Sequence, residues 1–279
     1  MSTATSCPCP DRPRPGRPGR GGTLTGRVHS WDMSTGVDGP GTRFVLFLSG
    51  CPLRCRYCQN PDTWHMRDGR LSGVDEVMVR IEQCAAFLRA SGGGVTISGG
   101  EPLLQHAFTA EVLHRCKALG LHTALDTSGF LGAAADQALL ADTDLVLLDI
   151  KSFDIRVYER LTGGHLAPTL SFAGRLDALG VRTWIRYVLV PGWTDDPTAV
   201  EGLATFVAGL SNVERVDVLP FHKLGATKYQ ELGLPFHKLG ATKYQELGLP
   251  FPLRDTPTPD TALVDRVRAQ FRAHGLTAD

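Results

Sequence analysis

The chain has 279 residues, enough for one large α/β domain. Its 42% hydrophobic content is that of a soluble globule, and its 29 basic and 29 acidic residues cancel formally, which argues against a nucleic-acid-binding protein. No apolar run reaches the ~18 residues of a membrane span, so no membrane association is expected.

Residues 1–22 read MSTATSCPCPDRPRPGRPGRGG. Proline, glycine and arginine dominate and nothing can build a core, so a disordered tail is expected, with Cys7 and Cys9 incidental. The tail has no apolar stretch of the kind a signal peptide needs. The run Val37-Asp38-Gly39-Pro40-Gly41 predicts a turn. FVLFL (44–48) reads as a buried strand, 74–90 as an amphipathic helix, VTIS (95–98) as a strand and 105–119 as a helix. LHTAL (121–125) predicts a strand, 133–141 a helix and LVLLDI (145–150) a continuously apolar strand. A helix near 168–179, a strand at 182–190, a helix near 197–210, a strand at 213–219 and a helix at 260–274 complete the pattern. Alternation of this kind predicts parallel strands with helical crossovers, buried on both faces.

Cys51, Cys55 and Cys58 lie in GCPLRCRYC with spacing C-x3-C-x2-C. Three thiolates leave one iron of a four-iron cluster open, where a small molecule can be bound and reduced. A structural zinc site needs four ligands. The nearest further candidate, His65, is seven residues past Cys58, which is not a usual zinc spacing. Seven cysteines, an odd number, without a secretory signal argue against a disulfide framework and for a reducing, cytoplasmic setting. The remaining motifs fall at predicted strand ends, where the sites of such α/β folds gather: Gly99-Gly100-Glu101, Asp126, Asp149 with Lys151, and His222. Gly99 and Gly100 allow close backbone approach; alone they are an ordinary strand-to-helix turn. Asp126 also reads as a cap of the turn at Thr127-Ser128-Gly129. Two carboxylates at neighbouring strand ends, Asp126 and Asp149, need a counter-charge. A lone histidine such as His222 is more often structural than catalytic. Cys84 and Cys116 lie in helical patterns and read as buried.

The stretch 26–64 (GRVHSWDMSTGVDGPGTRFVLFLSGCPLRCRYCQNPDTW) resembles the opening of the glycyl-radical-enzyme activases of the radical S-adenosylmethionine (SAM) class, in particular the pyruvate formate-lyase activating type. SGGGVTISGGEP, LDTSGF, LVLLDIK, WIRYVLVPGW and LPFHKLG continue the likeness from about Leu24 onward. The resemblance implies a partial (β/α)6 barrel, open on one side, spanning 23–279. It implies one [4Fe–4S] cluster on Cys51, Cys55 and Cys58, and SAM contacts from Tyr57, Cys58, Gln59, Gly99, Gly100, Glu101, Asp126, Asp149, Ile150, Lys151 and His222. Lys151 would pair with the SAM carboxylate, and a monovalent cation would sit near Asp126 and Asp149. The implied reaction is reductive cleavage of SAM to methionine and a 5'-deoxyadenosyl radical, which takes a hydrogen from a glycine α-carbon of pyruvate formate-lyase. The implied partners are that lyase and reduced flavodoxin or a similar electron donor, with the chain itself expected to be a monomer. Between 59 and 98 only Cys84 occurs, so the cysteine-rich insert of other glycyl-radical activases is missing. Activation of another glycyl-radical enzyme, or a non-catalytic iron-sulfur or zinc protein, are the alternatives.

Residues 219–233 (LPFHKLGATKYQELG) recur letter for letter at 234–248. One perfect tandem copy is not a solenoid. The strand before it fixes the register of the first copy, so His222 is expected to hold the site and His237 to be surplus.

Overall fold

The computed structural model describes residues 24–222, 246–250 and 252–279. The expected tail at 1–22, His237 and most of the tandem repeat lie outside them.

Eight strands form one sheet: β1 (Thr25–Thr35), β2 (Thr42–Leu48), β3 (Arg70–Gly73), β4 (Gly94–Gly99), β5 (His122–Thr127), β6 (Leu145–Asp149), β7 (Thr183–Leu189) and β8 (Val213–Pro220). Their order is β3-β1-β2-β4-β5-β6-β7-β8, and the two ends do not meet. The six strands from β2 to β8 run parallel, as the expected open six-fold barrel requires. Two further strands, β1 and β3, extend the sheet antiparallel at one edge. The sequence pattern does not mark them: β1 alternates weakly and is half-exposed, and β3 has only four residues.

The helices are α1 (Val74–Ala90), α2 (His106–Ala118), α3 (Gln137–Ala141), α4 (Ile155–Thr162), α5 (Ala167–Ala178), α6 (Pro197–Ala208) and α7 (Thr261–Ala273). The helix expected at 133–141 splits into a 3-10 turn at Gly132–Ala134 and the short α3. Helix α4 is not anticipated by the sequence pattern. Its eight residues bury only Tyr158, Leu161 and Thr162. Four helices open the same way, with an aspartate whose carboxylate accepts the third amide: Asp136 from Leu139 N, Asp154 from Val157 N, Asp196 from Ala199 N and Asp260 from Leu263 N.

Period-two alternation divides the parallel strands between two environments. Phe44, Leu46, Leu48, Val95, Ile97, Leu125, Val146, Leu148, Ile185, Tyr187, Leu189, Val216 and Val218 face the helices and form one continuous core with them. The residues between them face the other side. Low down, Ala124, Leu145, Leu147 and Trp184 form a small separate cluster. Towards the carboxyl ends, the same face carries Ser98, Asp126, Asp149, Arg186 and Asp217. At the far edge, Val216 N donates to Thr277 O (2.8 Å) and Val218 N to Asp279 O (2.9 Å), so residues 277–279 cover the open side of β8.

Two kinds of support can be told apart by unfolding. Phe271→Ala removes a fully buried ring of α7 and is expected to cost about 3–5 kcal/mol. Asp154→Ala removes one cap hydrogen bond of 2.8 Å and is expected to cost about 1 kcal/mol. Denaturant midpoints of the two variants check the ranking; equal shifts would mean the cap of α4 does more than close a helix end.

Candidate active site

A cavity of about 360 Å3 opens at the carboxyl ends of the parallel strands, a size ordinary for small-molecule sites. Cys51, Cys55, Cys58, Tyr57, Gln59, Gly99, Gly100, Asp126, Asp149, Lys151 and His222 line it together with Val37 and Asp38. Residues up to 185 positions apart in the chain, Val37 to His222, thus line one cavity.

The cysteine loop leaves β2 through Ser49 and Gly50 and is pinned from two sides. Gly50 N donates to Thr63 O (2.6 Å) and Cys51 N to Trp64 O (3.1 Å), on the turn after the loop. Arg54 N donates to Thr162 O (2.7 Å) and Arg56 N to Leu161 O (2.9 Å), at the end of α4. The unanticipated helix is therefore the shelf on which the loop rests. The three thiols are half-buried and unbridged. Burial, with added repulsion from Glu101 and Cys55, pushes the Cys51 thiol well up, and burial pushes Cys55 up to about 12 although Lys151 opposes it. Thiolates crowded in this way need a cation to hold them. Among the described residues no group of His, Cys, Asp or Glu side chains is placed to hold a single metal ion. Three cysteines on one loop leave a four-iron group one open iron, whereas a closed zinc site needs a fourth ligand. His65, the spare candidate ligand, does not line the cavity.

Gly99 and Gly100 are required first by packing. Gly99 has φ +112°, and a Cβ there would lie 2.3 Å from the backbone of Leu48; at Gly100 it would lie 2.2 Å from Gly50 O. The glycines thus let the end of β4 press against the root of the cysteine loop. Glu101 does not line the cavity. Its buried carboxylate accepts from Thr127 Oγ1 (2.6 Å), Ser128 Oγ (2.5 Å), Ser128 N (3.1 Å) and Leu103 N (3.2 Å). Burial raises its pKa against the pull of those hydrogen bonds. Glu101 ties the loops after β4 and β5 together. Ile150 also points away: its side chain is fully buried in the core under the helices.

Asp126 and Asp149 stand side by side on β5 and β6, with Arg186 of β7 reaching both. Arg186 Nη1 is 3.3 Å from Asp126 Oδ1 and Arg186 Nε is 3.3 Å from Asp149 Oδ1. Ser98 Oγ donates to Asp126 Oδ2 (2.5 Å), and Lys151 Nζ donates to Asp149 Oδ2 (2.5 Å) while lying 5.6 Å from the Tyr57 ring centre. Burial pushes Asp126 up, Arg186 pulls it back, and Asp149 adds repulsion; the net shift is upward. Burial also acts on Asp149, but Lys151 and Arg186 outweigh it and hold it below its usual value. Asp126 is not the cap of its turn. Thr127 Oγ1 accepts from Gly129 N (3.0 Å) and Ser128 Oγ from Phe130 N (3.3 Å). Arg186 is the site residue the sequence motifs do not name. Its signal is a lone arginine at an inward position of the otherwise apolar strand TWIRYVL.

Among the described residues the buried Tyr57 hydroxyl has no hydrogen-bond partner, while Arg186 Nε and Nη1 and Asp149 Oδ1 are held by ion-pair contacts of 3.3 Å and make no hydrogen bond. Atoms of that kind are costly unless a ligand satisfies them. A zwitterionic molecule with hydroxyl groups, such as SAM, has the complementary donors and acceptors. Burial lowers the pKa of His222 at the opposite wall, which favours a neutral imidazole. On the near side, Gly39 takes φ +123° and Asp38 O accepts from Thr96 Oγ1 (2.6 Å). The buried Arg43 beneath donates to Thr96 Oγ1 (2.9 Å) and Val95 O (2.5 Å), fixing the turn before β2.

A family model for the radical SAM superfamily matches residues 45–200. Pyruvate formate-lyase 1-activating enzyme of Escherichia coli K12 is 42% identical over 214 residues, 76% of this chain and 87% of that protein. Pyruvate formate-lyase-activating enzyme of Clostridium pasteurianum is 44% identical over 211 residues, 76% of this chain and 88% of that protein. Among solved structures, a domain of pyruvate-formate lyase-activating enzyme from Bacteroides vulgatus superposes with a TM-score of 0.52 at 24% identity, covering 67% of this chain and 98% of that one. Likeness at this level, over most of both chains and including the whole cysteine loop, means that the chain belongs to the radical SAM superfamily and, within it, to the pyruvate formate-lyase activating enzymes.

Proposed function

We propose that the protein activates pyruvate formate-lyase under anaerobic conditions by generating a glycyl radical on it. The observation that carries this reading is the convergence of three unbridged thiols, the ion-paired Asp149 and Arg186 and the buried Tyr57 hydroxyl on one cavity, in a chain 42–44% identical to proteins of that name. Cys51, Cys55 and Cys58 would hold one [4Fe–4S] cluster. When bound, the cluster and SAM supply one-electron cleavage of the sulfonium C–S bond, and with it removal of a hydrogen from a glycine α-carbon.

The chain's own residues bind, orient and shield. Lys151 is positioned to pair with the carboxylate of SAM and Asp149 to accept from its hydroxyl groups, each already partly neutralised by the other. Gly99 and Gly100 bring backbone beside the cysteine loop. Glu101, though buried, fixes that backbone through the β5 loop. Tyr57, Gln59 and His222 close the walls. A monovalent cation beside Asp126 and Asp149 belongs to the same reading, drawn by the two carboxylates once Lys151 pairs with the carboxylate of SAM. The lyase is the protein substrate. A reduced flavodoxin or similar carrier is the electron source, and the chain is read as a monomer acting in the cytoplasm. Among the described residues, no helix is long and apolar enough to cross a membrane.

Anaerobically reconstituted protein is expected to bind four irons per chain and, with a strong one-electron reductant, to form deoxyadenosine from SAM. Replacing Cys51, Cys55 or Cys58 by alanine should abolish both, while Cys84→Ala should not. Lys151→Ala should keep the iron and weaken SAM binding about tenfold, the loss of roughly one charge-assisted hydrogen bond. Purified protein with tight zinc and no iron would refute the assignment. Deoxyadenosine without a glycyl radical signal on added lyase would leave the chemistry and remove the substrate.

Arg186→Met leaves Asp126 and Asp149 buried with Lys151 alone. A loss of about 3–5 kcal/mol is expected near neutral pH. The sign of its pH dependence follows from Asp126. A buried acid with a raised pKa binds its proton more tightly folded than unfolded, so the stability tied to that proton is lost as pH rises through the folded value. Removing Arg186 raises that value further. The variant should therefore fall further behind the parent between about pH 5 and pH 8, and recover towards about pH 5. Thermal melts across that range decide it; a constant gap would mean the arginine acts by packing.

The tandem repeat calls for its own comparison. His222→Ala in the full chain should impair SAM binding, whereas His237→Ala should not, and deletion of 234–248 should leave activity equal or higher. The opposite histidine pattern would assign the site to the second copy.

A further inference from the structure

Three arginines crowd the outer side of the cysteine loop. Arg54 and Arg56 flank Cys55, and Arg160 stands in the last turn of α4, where the loop docks; all three are exposed. Arg54 Nη1 donates to Cys51 O (2.6 Å) and Leu53 O (2.8 Å), and its guanidinium lies 5.1 Å from the Trp64 ring centre. Arg56 and Arg160 both lie 5.4 Å from the ring centre of Trp193, and Arg56 Nε donates to Arg160 O (2.8 Å). Arg156, also exposed, stands one turn before Arg160 on α4.

Among the described residues, none of the three has an ion-pair partner. The nearest acids in sequence are engaged elsewhere: Glu159 with His165 Nδ1 (3.0 Å), and Asp195 with Gly192 N (2.8 Å). Like charges gathered round one indole repel in the free protein. The chain as a whole is neutral, with 29 charges of each sign, so the patch is a local segregation of charge. Guanidinium groups held by cation–π contacts and backbone carbonyls keep donors free for bidentate bonds to carboxylates, and the Trp193 ring supplies a flat apolar centre.

Position narrows the partner. The inner wall of the loop faces the cavity that SAM and the glycine segment must share. The outer wall carries the arginines. The other unbridged cysteines of the described residues, Cys84 and Cys116, are buried in α1 and α2, so among the described residues no second thiol set is at hand to relay an electron. We infer that the Arg54–Arg56–Arg160–Trp193 face is the docking surface for an acidic one-electron carrier protein. The inference rests on the activation reading above. In the step it serves, the carrier is oxidised by one electron and the cluster reduced by one; no bond forms or breaks.

The test compares the parent with the Arg56→Gln, Arg160→Glu double variant, both cluster-loaded, using reduced flavodoxin as the probe. Neither residue lines the cavity. Flavodoxin affinity, measured by titration calorimetry at low salt, should weaken at least tenfold, and the parent's salt dependence should flatten. Cluster reduction by flavodoxin, followed by electron paramagnetic resonance, should slow in proportion, while reduction by dithionite should not change. Unchanged flavodoxin affinity overturns the proposal. So does an equal loss with dithionite, which would make the arginines props of the loop. Unchanged flavodoxin affinity with weakened binding of the lyase would give the surface to the lyase instead. If the parent binds flavodoxin through these arginines yet cleaves no SAM with dithionite, the activation reading fails and the docking surface stands.

Discussion

The placement of one guanidinium governs much of this molecule. Arg186 sits largely buried between Asp126 and Asp149, 3.3 Å from each. Two carboxylates on adjacent parallel strands, largely withdrawn from water, repel each other strongly, with little solvent to soften the repulsion. With Arg186 and Lys151 present the group carries two charges of each sign. The attraction is then spent on holding the carboxyl ends of β5, β6 and β7 in one geometry. Removing any member leaves an uncompensated charge, which is far costlier than the net worth of the intact group. Specific geometry at the strand ends is what a site for a charged ligand needs. The same four side chains therefore serve the fold and the cavity.

The cysteine loop obeys a different constraint. It has few apolar contacts of its own, with Leu53 and Tyr57 its main buried side chains. Its shape comes from backbone hydrogen bonds to two neighbours, the turn at residues 63–64 and the end of α4. Gly50 and Gly100 make the close approach possible, since a methyl group at either would meet atoms closer than 2.5 Å. The loop is thus held from outside rather than by its own residues, and its three cysteines line the cavity.

The parallel core was legible in the sequence because burial on both faces produces apolar runs, and VTIS, LVLLDI and RTWIRYVLV have no other easy reading. The edge strands were not. β1 is half-exposed, so its alternation is diluted by residues such as His29, Ser30 and Asp32 that answer to water. Helix α4 was hidden for a related reason. It is a short amphipathic helix resting on few buried side chains, and its importance lies in two carbonyls, which no side-chain pattern reports. At the site, motif reading brought together the residues whose side chains or backbone line the cavity, but could not say which atoms do so. Glu101 and Ile150 belong to the same motifs, and their side chains point elsewhere. Arg186 belongs to no motif; only strand alternation places it opposite the aspartates.

A chain with zero net charge would be expected to show weak fields, yet this one separates its charges in two places. Inside, Asp126 and Asp149 face Arg186 and Lys151 across a few ångströms, so their field is intense and short-ranged. Outside, Arg54, Arg56 and Arg160 stand without carboxylate partners among the described residues, so their field reaches into solvent for about a Debye length, near 8 Å at physiological salt. The two arrangements answer different problems. A bound small molecule needs fixed dipoles and exact contacts, and the inner group supplies them without steering anything from a distance. A protein that must arrive, react and leave needs attraction before contact and few tight contacts after it. The cysteine loop lies between the two, one wall on each. Its exposed arginines hold onto backbone carbonyls and indole rings rather than carboxylates, which keeps the outer field unneutralised.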